Sequence, residues 1–164
     1  EPSRNNPMGF QWFPIPWLDG SSEVDARISM GQSVTALNEC LDTVLAAEEL
    51  TPDRMVLVGF SQGTMMALHV APRRDVAVAG GGGFSGRLLT PEVLAEEARV
   101  KPPVLLIHGD QDEVVPFDDM SLAGQTLQEA GFTVYGHVMQ GTGHGISPDG
   151  LSVALAFLKE HLPD

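Results

Sequence analysis

The sequence predicts one α/β domain, a mostly parallel sheet flanked by helices. Three observations carry this. The chain has 164 residues, the length of one ordinary domain. Short, continuously apolar runs stand at Met55–Phe60 and Val104–His108, as expected for strands buried on both faces. Between such runs lie stretches with helical spacing, the alternation that builds βαβ units.

The elements follow in order. Residues 1–20 have no clear periodicity and are rich in proline and aromatics: Pro7, Phe10, Trp12, Phe13, Pro14, Pro16 and Trp17. They read as a loop covering the core, or as an aromatic wall beside a pocket. Helix signals begin at Ser21 and Ser22, and Ser22 with Asp25 matches a capping-box pattern. Val34, Leu37, Leu41, Val44 and Leu45 then repeat along one face of a long helix. Cys40, the single cysteine, lies on this stretch and is expected to be a buried, inert thiol. Being alone, it excludes an intrachain disulfide and an all-cysteine zinc site.

Thr51-Pro52-Asp53 punctuates the chain before the strand Met55–Phe60, and Gln62–Ala71 reads as a helix stopped by Pro72. Val76–Phe84 starts as a strand and runs into Gly80–Gly83, glycines expected to weaken its end and permit close backbone approach. Thr90 and Pro91 have N-cap and N1 chemistry for a helix to Ala98. After the strand Val104–His108, Asp119 or Ser121 opens a helix that Gly131 closes. Phe132–Met139 is a last strand and Asp149–Leu162 a final amphipathic helix. No repeat, low-complexity tract or linker interrupts the series.

Composition narrows the function. With 43% apolar and 19% charged residues the chain is not a disordered polar one. Twenty-two acidic against nine basic side chains give a net charge of −13, which argues against nucleic acid and against anionic membranes as partners. No apolar run approaches the ~20 residues of a membrane span. No signal peptide is visible, so the cytoplasm is the default expectation.

The chemistry begins at Gly59-Phe60-Ser61-Gln62-Gly63, a G-x-S-x-G pattern between an apolar strand and a helix. That context is what a nucleophile elbow requires. The residues two before and two after the serine are expected to be small because backbones crowd there. The turn would present the Ser61 hydroxyl and set the Gln62 N–H at a helix start, where an oxyanion is stabilised. A serine needs a base, and the base an orienting carboxylate. Asp110 and Asp112 compete for the acid in the loop after Val104–His108, with Glu113 third; Asp112 is favoured, because Asp110 is better placed to hold the turn. His144, between glycines on the loop after the last strand, is the candidate base. His137, His69 and His161 lie in a strand, a helix and near the chain end, and read as structural or solvated. His108 reads as packed under the acid loop.

Together GFSQG, HGDQDEVVP and GTGHG, with PMGFQWFPI upstream, resemble the phospholipase/carboxylesterase family of α/β-hydrolases. The resemblance covers nearly the whole chain. It implies a serine carboxylesterase for small esters, with thioesterase or lysophospholipase activity as the neighbouring alternatives, and a non-catalytic binding module as the rival. It implies Ser61 as nucleophile, Asp112 as acid, His144 as base and the Gln62 N–H as oxyanion donor. Trp12, Phe13, Phe84 and Val115 match segments that line the acyl pocket. No metal and no organic cofactor are implied. Family members begin with further strands and an HG-rich loop giving a second oxyanion donor; neither is found before Ser61. The strand Met55–Phe60 is therefore expected at a sheet edge, completed by a further N-terminal segment or by self-association into a homo-oligomer.

Overall fold

Four strands, β1 (Val56–Phe60), β2 (Gly80–Phe84), β3 (Val104–Gly109) and β4 (Val134–Met139), lie side by side in sequence order and all run parallel. They belong to a computed structural model that describes all 164 residues. The chain divides into two compact units, Glu1–Leu50 and Thr51–Asp164.

The first unit holds α1 (Pro16–Asp19) and the 25-residue α2 (Glu23–Ala47). Ser22 caps α2, its Oγ accepting the Asp25 N–H at 3.0 Å. Residues 1–20 are not wholly irregular: Pro2 and Phe10 form an antiparallel bridge. Of the expected apolar face, Leu41 and Leu45 are buried, Val34 and Leu37 half-buried and Val44 exposed. Cys40 is exposed, which corrects the expectation of a buried thiol. It precedes Leu41 by one residue, a turn of about 100° around the helix, and so leaves the face that Leu41 and Leu45 bury.

The second unit holds the sheet with α3 (Gln62–Val70), α4 (Leu94–Glu97), α5 (Asp118–Glu129) and α6 (Pro148–His161). Strands alternate their side chains, so β3 serves both faces. Val104 and Leu106 pack with Leu68 of α3, Leu94 of α4 and Ala123 and Leu127 of α5. Leu105 and Ile107 pack with Phe84, Met139 and, from α6, Ala154 and Phe157. Three helices thus cover one face and one covers the other. Consecutive parallel strands joined by crossovers of one hand put every crossover helix on the same side; only α6, after the last strand, is released to the opposite face.

Two strands depart from expectation. Val76 is exposed, and the glycines are not the weak end of a strand but β2 itself, fully buried between β1 and β3. Gly82 and Gly83 have φ of +142°, and a Cβ there would fall 1.9 Å from Leu105 O and 2.1 Å from Gly59 O. No side chain fits between these neighbours. β1 is an outer strand, as the edge argument expects, but it is not buried on both faces: Val58 is 43% and Phe60 40% exposed. Their positions pair with Gly82 and Phe84 in register, on the face of α6. The run after Thr90 is also shorter than expected. Thr90 makes no side-chain cap, and a 3-10 turn (Pro91–Val93) precedes the four residues of α4.

Candidate active site

Ser61 sits between β1 and α3 at φ 53° and ψ −116°, a backbone region that non-glycine residues rarely adopt. Local bonds hold it there. The Ser61 N–H donates to Phe84 O at 2.9 Å, and Thr64 Oγ1 donates to the same carbonyl at 2.7 Å. The crowding at the elbow is one-sided. A Cβ on Gly59 would stand 2.1 Å from the Gly63 carbonyl carbon, whereas one on Gly63 would meet nothing within 4 Å. Gly59 is required by space and Gly63 is not, which corrects the symmetric expectation.

The second element is the loop after β3. Asp112 lies there with its side chain buried. Its Oδ1 accepts the Val114 and Val115 N–H groups, each at 2.9 Å. Its Oδ2 accepts from His144 Nδ1 at 2.8 Å. Burial pushes the Asp112 carboxyl up, and the hydrogen bonds from His144, Val115 and Val114 outweigh it, holding the group below the usual carboxylate range.

His144 lies on the loop between β4 and α6. Its Nε2 is 3.0 Å from Ser61 Oγ, and its ring stands 4.9 Å from that of Phe60. A carboxylate only accepts, so Nδ1 carries a hydrogen and the neutral ring turns Nε2 toward the hydroxyl as an acceptor. The loop is pinned to the acid loop. Asp110 Oδ1 accepts the Gly141 N–H at 2.8 Å and the Gln111 N–H donates to Thr142 O at 3.0 Å. Gly109 permits this approach, since its Cβ would fall 2.2 Å from Thr142 O. Asp110 therefore does hold a turn, but across the two loops. A glycine closing a buried strand was the sequence signal for such contact.

Residues 83 positions apart, Ser61 and His144, thus meet, with Asp112 behind the histidine. Gln62 follows as the first residue of α3. The residues expected to line a pocket are placed as follows. Phe84 is buried in the core with Leu105, Ile107 and Phe157. Val115 is buried, and its backbone N–H donates to Asp112. Trp12 and Phe13 belong to the Glu1–Leu50 unit, where Phe13 is buried and Trp12 partly exposed. Of the remaining histidines, His137 pairs with Asp149 at 2.6 Å and His161 packs on Tyr135 and Phe157. His69 is buried in α3, while His108 does pack under the acid loop. No group of three or more His, Cys, Asp or Glu side chains is arranged to hold a metal ion, and no helix is long and apolar enough to cross a membrane.

The fold and the sequence have known counterparts. A crystal structure of esterase PE8 superposes with a TM-score of 0.89 at 39% identity, covering 98% of this chain and 74% of that one. Carboxylesterase SOBER1 of Arabidopsis thaliana is 30% identical over 165 residues, 97% of this chain and 71% of its own. Acyl-protein thioesterase 1 of Gibberella zeae is 29% identical over 160 residues, 93% of this chain and 68% of its own. The chain spans about two thirds of the length of these curated relatives, and 59% of another from Oryza sativa subsp. japonica. The family model described as Phospholipase/Carboxylesterase matches residues 1–162. The chain therefore belongs to the phospholipase/carboxylesterase family of carboxylic ester hydrolases, with the α/β-hydrolase fold.

Proposed function

We propose that this chain hydrolyses small carboxylic esters through an acyl-enzyme on Ser61. The unbroken series of hydrogen bonds from Ser61 Oγ to His144 Nε2, and from His144 Nδ1 to Asp112 Oδ2, carries the reading. Ser61 Oγ attacks the acyl carbonyl while its proton passes to His144 Nε2. Asp112, fixed by two backbone N–H groups, holds the ring's orientation and stabilises the imidazolium. The carbonyl oxygen gains negative charge, which the Gln62 N–H at the start of α3 is set to receive. His144 returns the proton to the departing alcohol. Water then repeats the sequence on the ester of Ser61 and releases the acid.

The net charge of −13 favours neutral esters over acidic substrates. A thioester would be cleaved by the same steps, and the Gibberella zeae relative carries a thioesterase name. The outer position of β1 and its exposed Val58 and Phe60 support a further proposal, that this edge pairs with a second copy of the chain.

A fluorophosphonate probe tests the chemistry. The wild type is expected to label at one serine and Ser61→Ala not at all. Hydrolysis of p-nitrophenyl acetate should fall by about 10⁴-fold or more in the variant. A folded wild type that neither labels nor hydrolyses short aryl esters is a binding module instead.

A further inference from the structure

The acid has a second histidine behind it. His108, the penultimate residue of β3, is buried, and its ring packs edge-on against Phe117 at 6.0 Å between centroids. Its Nε2 lies 2.9 Å from Val115 O and 3.4 Å from Asp112 Oδ2. A carbonyl oxygen only accepts, so Nε2 carries a hydrogen in either charge state of the ring. That one N–H faces two acceptors, the carbonyl at full hydrogen-bond distance and the carboxylate oxygen just beyond it.

The two contacts converge on the same group. The Val115 backbone is held at both ends, its C=O by His108 and its N–H by Asp112 Oδ1 at 2.9 Å. Oδ2, which His108 approaches from one side, is the oxygen that meets His144 Nδ1 at 2.8 Å. The ionisable groups facing this carboxylate are therefore His144 and His108. Asp110 of the same loop is engaged with the Gly141 N–H, and Glu113 is exposed.

We propose that His108 is a positioning residue for the acid: its Nε2–H, shared between Val115 O and Asp112 Oδ2, fixes the carboxylate and draws charge from the oxygen that faces His144. Without that donor the carboxylate's charge concentrates toward His144. The imidazolium then gains, and the histidine holds its proton to higher pH. The inference rests on the reading of Ser61, Asp112 and His144 as a triad, so its test avoids turnover altogether.

The test is an NMR titration of the His144 Cε1–H signal in Ser61→Ala protein, with and without His108→Phe. Phenylalanine keeps a ring against Phe117 and removes the donor. The His144 midpoint is expected to rise by about 0.5 pH unit. His108→Gln, whose amide nitrogen reaches the place of Nε2, should return most of that shift. An unchanged or lowered midpoint in His108→Phe overturns the proposal, since a fall means that Asp112 has drifted from His144. If that variant does not fold, ¹⁵N shifts of His108 in the Ser61→Ala protein decide. Hydrogen on Nε2 is expected throughout the titration, and a ring protonated only on Nδ1 overturns the assignment. Ester hydrolysis can fail while this titration succeeds, which separates the two readings.

Discussion

The two faces of the sheet are covered unequally, and the candidate site draws on both. One face carries α3, α4 and α5, and there Thr64 to Val70 are buried without a gap. The other carries α6 of the same unit, and Val58 and Phe60 of β1 on that face are exposed. The elbow stands where the faces meet. Gly59 turns toward α3, where there is no room for a methyl group. Its neighbour Phe60 turns to the sparse face and meets the His144 ring. Crowding on one side thus fixes the backbone of Ser61, while the open side leaves room for His144. A strained serine conformation persists only where its surroundings over-determine it.

The sharpest way to break this contrast is at the two glycines of the elbow. Gly59→Ala drives a Cβ into the first turn of α3 at 2.1 Å. It should cost about 4 kcal/mol or more, or prevent folding, as backbone overlap relaxes poorly. Gly63→Ala enters open space within a helix and should stabilise by up to about 1 kcal/mol. Urea titrations of both variants read the difference. Equal losses would mean that the elbow is crowded on both sides after all.

Next in size is the sparse face itself. Phe157 is the large side chain by which α6 covers the sheet, its ring lying where a Cβ on Gly80 would be. Phe157→Ala should cost about 3–5 kcal/mol. Val58→Lys, on the same face and exposed, should change stability by less than about 1 kcal/mol. If β1 pairs with a second copy, light scattering will also record a fall from dimer to monomer in this variant. A wild type already monomeric removes the pairing and leaves the stability contrast intact.

How much of this was legible depended on whether the sequence signal was local. The elbow was readable because strand, serine and helix are contiguous, and the meeting of Ser61, His144 and Asp112 because each lies on a loop that follows a strand of one parallel sheet. Depth was not readable. Met55–Phe60 and Val104–His108 both read as buried on both faces, yet Val58 and Phe60 are exposed while β3 is buried throughout, a depth set by neighbours far along the chain. The same limit hid β2, whose glycines look like a weak end until Leu105 and Gly59 are seen pressing from either side. It also hid the depth of Phe84, which is buried because α6 returns to lie over it.

The crowded face holds a buried histidine whose titration measures how closed that face is. His69 of α3 is buried with its Nδ1 unpartnered. Burial and the nearby Arg73 charge push its pKa from 6.5 down to about 4, against a smaller opposing pull from Glu97. In the unfolded chain the ring takes its proton near pH 6.5, while in the folded protein it stays neutral until about pH 4. Stability from keeping His69 neutral is thus complete above pH 6.5 and drains away as the pH falls toward 4. The loss should reach about 2 kcal/mol by pH 5. Urea midpoints at pH 7.5 and pH 5 check this, with His69→Gln as the comparison in which that loss disappears. If wild type and variant lose stability in parallel, water or an opening of α3 reaches His69, and the face that holds the elbow is looser than its packing implies.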